Sequence, residues 1–414
     1  MSDEFKQAAL DYHEFPLPGK LSIELTTAAN TPNDLSLAYS PGVAEPVRAI
    51  AKNPDDAYKY TGKGNLVAVI TDGSAILGLG NLGPLASKPV MEGKSLLFKR
   101  FANINSVDIE VNAENPQAFI ETVQRIAETF GGINLEDIKA PECFEIESEL
   151  IRRCDIPIFH DDQHGTAIVT VAAMLNALEI QGKSLRQAKI VCLGAGAAAK
   201  ACCNLMIEAG AQLKNITMLD RKGVIHSERT DLTSHKKQFA LVTDERDLDD
   251  AIVDADVFLG VSGANLFSPE QLKKMAPRPV VFACSNPDPE IFPEDAHAVR
   301  DDLIMATGRS DYPNQVNNVL CFPFLFRGAL DVRSRIINSE MKLAAVEAIR
   351  ALAKQEVPDE VKSAYGKADI SFGPEYILPK PTDPRLLSVV ASAVAAAAVE
   401  TDVARLPYPE HYPL

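Results

Sequence analysis

Residues 189–220 restrict the fold more than any other stretch of the chain. The apolar run KIVCLG (189–194) leads straight into Gly194-Ala195-Gly196-Ala197-Ala198-Ala199. A helical segment, AAAKACCNLMIEAG, follows to Gly210, and a second apolar run, ITMLD (216–220), ends in Asp220. Together they make a βαβ unit with a G-x-G-x-x-A fingerprint, in which Ala is an accepted last residue. Gly194 and Gly196 permit a tight turn and close approach of the backbone to a pyrophosphate. Ala197 and Ala199 open the helix, whose N-terminus offers free N–H groups and a positive dipole end. From Thr166 onward the runs VFLGVSG (257–263), VVFACSN (280–286) and IMATG (304–308) alternate with helical stretches. Such alternation predicts an α/β fold with a Rossmann-type, doubly wound parallel sheet. Asp220 can accept hydrogen bonds from an adenosine ribose, the NAD arrangement. Arg221 and Lys222 can pair with the 2′-phosphate of NADP, or simply form a solvated turn.

A chain of 414 residues exceeds what one core usually serves, so further domains are expected. Residues 1–160 mix strands, VAVITDG (67–73) and VDIEVN (107–112), with a helix over 116–132, and read as an N-terminal α/β domain. Residues 161–320 form the Rossmann-type domain. Residues 321–414 are mainly helical, end in a Pro-rich tail and are expected to pack on both. The formal charge of −16 argues against a nucleic-acid or anionic-membrane surface. The longest apolar run, Leu386 to Val399, is shorter than the roughly 20 residues of a membrane span and reads as a buried helix. The N-terminus, MSDEFKQAALDYHEF, lacks the apolar core of a signal peptide. Seven cysteines without a C-x-x-C pair fit a reducing cytoplasm.

Two acidic pairs carry the chemistry. Glu136-Asp137 lies in GGINLEDIKAPE and Asp161-Asp162 in IPIFHDDQHGTA, each where a strand-like run stops. Four carboxylates at strand ends suit a hard divalent cation, Mg²⁺ or Mn²⁺, better than zinc. Either pair alone also reads as solvated loop residues or helix caps. Alternation along an extended strand would place Asp161 and Asp162 on opposite faces. Tyr39 in LAYSPGV and Lys94 in KPVMEGKSLLFKRF are the candidate acid and base. A lysine beside a bound cation in a partly desolvated cleft has its pKa lowered. His160 and His164 have i, i+4 spacing across a strand end and loop, and read as hydrogen-bonding partners in preference to zinc ligands. Cys202-Cys203 reads as packing. Lys99-Arg100 reads as a solvated face or as reaching for an anion.

The segments LSLAYSPGVAEP, LGLGNLGPLASKPVMEGKSLLFKRFA, FGGINLEDIKAPECFEIE, IPIFHDDQHGTAI, GAGAAAKA, SNPDPEI and TGRSDYPNQVNNVLCFPFLFRGALDV resemble malic enzymes over essentially the whole chain. The similarity is to the short bacterial type and to the malic domain of bacterial hybrid enzymes. It implies metal-dependent oxidative decarboxylation of L-malate to pyruvate and CO₂ with reduction of NADP or NAD. By motif, Glu136, Asp137 and Asp162 become the metal ligands, Lys94 the base and Tyr39 the acid. Asp161 becomes the group that sets the charge state of Lys94. Asn286 and Asn317 become contacts to substrate or nicotinamide, with Asn318 in support. The resemblance also implies a cytoplasmic homodimer or larger homo-oligomer. One departure stands out: where larger members carry a substrate-binding arginine, this chain has Ser74 and Ala75. Two other functions fit the same residues, a malolactic-type lyase without net cofactor reduction and a non-catalytic malate or nucleotide sensor. The C-terminal PYPEHYPL falls about where hybrid members continue into a phosphotransacetylase-like domain.

Overall fold

Two parallel sheets organise the chain in the computed structural model, which describes residues 3–76, 79–366 and 369–413. Leu77 and Gly78, within the DGSAILGLG segment, lie outside the described residues. The first sheet contains β1 (Leu66–Thr71), β2 (Asn105–Glu110), β3 (Gly132–Leu135) and β4 (Ile158–His160) in the order β2-β1-β3-β4, all parallel. Helices cover both of its faces, so β1 and β3 are buried along almost their whole length and carry no polar alternation. Leu135 of β3 pairs with His160 of β4. This register brings the next residues, Glu136 and Asp161, off the sheet edge side by side.

The second sheet contains β5 (Ile190–Leu193), β6 (Ile216–Asp220), β7 (Gly223–Val224), β8 (Val257–Gly260), β9 (Val280–Ala283) and β10 (Ile304–Thr307). Its order is β10-β9-β8-β5-β6-β7, parallel except for the edge strand β7. The chain turns one way from β5 to β6 and the other way to β8. The crevice between β5 and β8 is therefore the topological switch point, where open α/β sheets bind ligands. The glycine loop leaves β5 at that point.

Several boundaries differ from the sequence expectation. The strand read at 107–112 is Asn105–Glu110, a shift of two residues that keeps the same faces inward. The helix read over 116–132 stops at Ile126, continues as one 3₁₀ turn (Ala127–Thr129), and gives way to β3 at Gly132. Strands β8, β9 and β10 end before 263, 286 and 308, because their small and apolar residues continue into loops around the crevice.

The C-terminal helices Phe322–Asp331, Ser339–Ala353 and Arg385–Glu400 close the structure. Phe322 and Phe326 pack edge-on against Phe98, at 4.9 and 5.3 Å between ring centroids, and Arg327 donates to Asn65 at 2.6 Å. One apolar core runs without interruption through Val67, Phe98, Phe159, Ile190, Phe322 and Val394. The Leu386–Val399 run lies in the buried helix Arg385–Glu400, and no described helix is long and apolar enough to cross a membrane. At the other terminus, the helices Asp3–Glu14, Pro32–Ala38 and Ala44–Lys52 bury none of their residues.

Candidate active site

Lys94 lies midway along the helix Pro84–Ala102, which packs over β1 and β2. Its Nζ sits 2.8 Å from Glu136 Oε1 and 2.7 Å from Asp161 Oδ2, and 4.4 Å from the ring centroid of Phe322. Burial alone would pull this ammonium down. The charges of Asp161, Glu136 and Asp162 outweigh burial and hold it above the ordinary lysine range. The lowering expected for Lys94 is thus reversed among these side chains, because the charge of a cation was part of that expectation. Glu136 is pushed well above the usual carboxylate range by burial and by Asp162, and Lys94 offsets this only in part.

Glu136, Asp137 and Asp162 each present a carboxylate oxygen within 4.8 Å of the others. Three hard oxygen donors this close fit a divalent cation of the Mg²⁺ or Mn²⁺ kind. Asp137 adopts a left-handed conformation (φ 54°), which Asp tolerates better than most residues. Its N–H donates to Asp162 Oδ2 at 2.8 Å and its carbonyl accepts from the Ala75 N–H at 2.9 Å. Asn134 Nδ2 holds Glu136 Oε2 at 2.8 Å.

Asp161 and Asp162 do not separate by strand alternation. They are the first two residues of the helix Asp161–Ile180, so about 100° of helical rotation parts them. Asp161, fully buried, turns to Lys94 and to Asn318, whose Nδ2 donates to Oδ2 at 3.1 Å. Asp162 turns to Asp137. The stretch joining His160 and His164 is therefore a helix start and not a loop. The His164 ring is a hydrogen-bonding partner, as expected. The buried His160 ring makes no hydrogen bond among the described residues, with its Nδ1 3.7 Å from Asp162 Oδ2.

Glu147 is the residue that sequence reasoning missed here. It accepts the His160 N–H at 3.0 Å, the Gln163 amide at 3.2 Å and His164 Nε2 at 3.0 Å. Lys342 sits 3.1 Å from His164 Nδ1, and a lysine can only donate, so Nδ1 accepts and Nε2 carries the proton. The signal was present: Cys143, Ile146, Glu147 and Leu150 share one buried helix face, and an acid interrupting such a stripe needs partners.

At the switch point Gly194 has φ 128°, and a Cβ there would meet the Val261 carbonyl at 2.7 Å. Gly196 caps the helix Ala197–Glu208 without a side chain, leaving its N–H groups toward the crevice, and Ala199 is fully buried beneath. Glu290, also fully buried, accepts the N–H groups of Ser262 (2.9 Å) and Ser285 (3.1 Å), so it fixes the loops after β8 and β9. Asn286 stands exposed on the second of these loops. The Asn317 carbonyl oxygen of the side chain accepts the Val319 N–H at 3.0 Å, which leaves its amide nitrogen available.

Asp220 is not open to a ribose. Arg229 grips it at 2.8 and 3.0 Å, Lys236 bonds the same carboxylate, and the Lys222 N–H adds a third contact. These cations outweigh its partial burial and bring it down to about 2. Arg221 is exposed, so the cations held at the end of β6 are Arg229 and Lys236, which no spacing in the sequence singled out.

Tyr39 is not brought to Lys94. It caps the helix Pro32–Ala38, and the residue is 75% exposed. Ser74 and Ala75 pin their loop: Ser74 Oγ accepts the Lys139 N–H at 2.9 Å and donates to Asp72 at 2.5 Å. Cys202 and Cys203 are buried in their helix, and Lys99 bonds Asn103 and Asn105 on the surface.

Residues 163–365 match the family model described as malic enzyme, NAD binding domain, and residues 19–118 and 112–151 match malic enzyme, N-terminal domain. The chain is 68% identical over 414 residues to the NADP-dependent malic enzyme of Halomonas elongata, covering 100% of this chain and 98% of that one. It is 58% identical over 409 residues to the NADP-dependent malic enzyme of Escherichia coli, covering 98% of this chain and 54% of that one. The chain thus spans about half the length of that second relative. The crystal structure of malic enzyme from Pyrococcus horikoshii aligns with a TM-score of 0.89 at 42% identity, covering 97% of this chain and 92% of that one.

Proposed function

The chain belongs to the malic enzyme family, and from that membership we propose that it converts L-malate to pyruvate and CO₂ while reducing NADP. The observation that carries this reading is Lys94 bridging Glu136 and Asp161 beside the three-carboxylate cluster. Glu136, Asp137 and Asp162 would hold the Mg²⁺ or Mn²⁺. A cation held there would supply Lewis acidity toward the substrate and would offset the negative charge that now holds Lys94 above the ordinary lysine range. Lys94 would take the C2 hydroxyl proton and Asp161 would hold the resulting ammonium in place, while a bound nicotinamide would supply the hydride acceptor. Loss of CO₂ would leave an enolate, whose C3 would be protonated to give pyruvate; the motif assigns that proton to Tyr39, although the described chain leaves Tyr39 exposed. Asn286 and Asn317 would orient the substrate and the nicotinamide amide, and Asn318 holds Asp161 through its Nδ2 at 3.1 Å.

NADP is favoured over NAD because the acid that would receive a ribose 2′-hydroxyl, Asp220, is already neutralised by Arg229 and Lys236. Gly194, Gly196, Ala197 and Ala199 would cradle the pyrophosphate, with Arg221 at the rim. We further place the substrate domain at 1–160, the cofactor domain at 161–320 and the helical segment at 321–414. The assembly is taken to be a cytoplasmic homodimer or larger.

Reduced-nicotinamide absorbance read with malate, Mn²⁺ and either NADP⁺ or NAD⁺ tests the reading. A rise is expected with both, steeper with NADP⁺; no rise with either sinks it, and lactate formed without net reduction would instead favour the malolactic-type reaction. In the same assay Lys94→Ala abolishes turnover, and in a separate calorimetric titration Asp137→Ala loses Mn²⁺ binding. Normal behaviour of both variants would refute the assigned roles.

A further inference from the structure

Two lysines face one cavity without a carboxylate to meet them. The cavity, of about 300 Å³, is walled by the helices Glu142–Arg153, Ala197–Glu208 and Ser339–Ala353 and by Gln163 and His164. Lys200 enters from the second of these helices and Lys342 from the third. Lys342 Nζ donates to His164 Nδ1, the unprotonated nitrogen of that ring, at 3.1 Å, and has further N–H bonds to give. Lys200 Nζ sits 4.0 Å from the ring centroid of Phe144, which attracts its charge but accepts no charge-assisted hydrogen bond. Neither ammonium has an ion-pair partner among the described residues.

Other inward-facing lysines of this chain are paired. Lys183 meets Asp256 at 2.7 Å, and Lys189 meets Glu245 at 3.0 Å. The acids nearest the cavity are not free to do the same. Glu147 spends its oxygens on the His160 N–H, the Gln163 amide and His164 Nε2. Glu208 is exposed, where water and salt screen it. Burial accordingly pulls both Lys200 and Lys342 below the ordinary lysine range, and the neighbouring acids offset this only in part. Keeping two such charges half-buried and unpaired costs stability that a bound anion would return.

The donor set also selects the anion. Lysine is a compact point charge suited to the several oxygens of a phosphoryl group, whereas flat recognition of a carboxylate calls for the arginine fork. No arginine lines this cavity among the described residues. Asn204, one helical turn after Lys200, adds an amide on the same helix face. Phe144, Ile151 and Leu205 give the remaining wall an apolar surface, against which the carbon part of a small ester can lie. Neither Gly194, Gly196 nor Asp220 lines it, so it is separate from the cofactor loop. We propose that this cavity binds a phosphoryl group between Lys200 and Lys342, as free phosphate or as a small phosphate monoester. The occupant ties the helix after the glycine loop to the C-terminal helix Ser339–Ala353. The site does not depend on which reaction the Lys94 cluster performs.

Calorimetric titration of the full chain with inorganic phosphate tests it, at saturating NADP⁺ and without added metal. One phosphate per chain is expected. Lys200→Met removes a charge-assisted hydrogen bond and should weaken binding by about tenfold or more, while Lys200→Arg, which keeps the charge, retains it. Asn204→Asp, which sets a carboxylate beside Lys200, should abolish binding, and it decides the matter if Lys200→Met does not fold. Glycerol 3-phosphate in a parallel titration separates the two sources: tighter binding than phosphate assigns the cavity to an ester, and equal or weaker binding assigns it to the free ion. A wild-type chain that binds neither overturns the proposal. Equal affinity in wild type, Lys200→Met and Asn204→Asp overturns it too. Phosphate displaced as NADP⁺ is raised would place the ion in the cofactor site and count equally against the cavity.

Discussion

The most demanding single residue in the site is Gly165. It lies inside the helix Asp161–Ile180, where a glycine costs roughly 0.5–1 kcal/mol relative to alanine. A Cβ there would fall 1.8 Å from Asp161 Oδ1. The helix therefore gives up local stability so that the Asp161 carboxylate can lie flat against its backbone and still reach Lys94. Gly165→Ala should leave the helical circular-dichroism signal unchanged yet reduce malate turnover by on the order of 10²-fold, since displacing a positioned group by about 1 Å costs that much. A Gly165→Ala enzyme with wild-type rate would show that the carboxylate has room to spare. The motif HDDQHG was legible in the sequence as an acid-rich strand end. Its glycine was not, because the clash is with a side chain one helical turn away whose direction depends on where the helix begins. The same uncertainty about the helix start produced the mistaken alternation of Asp161 and Asp162.

At the scale of elements, the βαβ unit and the parallel strands were readable to within a few residues, because buried strands and a glycine turn have local signatures. What holds the elements to one another was less so. Glu147 joins its own helix, Glu142–Arg153, to the end of β4 and to the start of the helix Asp161–Ile180, and through His164 to Lys342 on Ser339–Ala353. These contacts span up to 178 residues of sequence, which no local pattern reports. Burial raises the Glu147 carboxyl, but His164, His160 and Lys342 outweigh it and bring the group down to about 2. The sign follows: a carboxyl lower in the folded chain than in the unfolded one stabilises fully above its unfolded value of about 4.5, and that stability is lost as pH falls through about 2. Glu147→Gln should cost roughly 3–5 kcal/mol at pH 7, as for one partner removed from a buried charged network. The gap between variant and wild type should narrow by about 1 kcal/mol between pH 7 and pH 4. Urea midpoints at the two pH values measure this, and a gap that does not change with pH would mean that the carboxylate charge contributes nothing there.

For the whole molecule, the deciding feature is that the core does not divide where the sheets do. The helical C-terminal segment was legible as helix, but nothing in its composition said that the first residue of its first helix would form part of the base's surroundings. Phe322 opens the helix Phe322–Asp331, packs edge-on against Phe98 of the Lys94 helix, and places its ring 4.4 Å from Lys94 Nζ. The apolar cluster around it continues into both sheets and into Arg385–Glu400. A segment joined to the rest through one shared core cannot melt by itself, whereas one merely docked on the surface could. Phe322→Ala removes a fully buried ring and should cost about 3–5 kcal/mol. If the core is continuous, that loss appears in a single transition, with tyrosine fluorescence and far-ultraviolet circular dichroism shifting to the same lower urea midpoint. Limited proteolysis just below that midpoint should then cut both sheets and the C-terminal helices together. Early release of a C-terminal fragment, with the remainder unfolding at the wild-type midpoint, would show that the segment is an attachment. Lys94 would then owe its surroundings to the first sheet and the Asp161 helix alone.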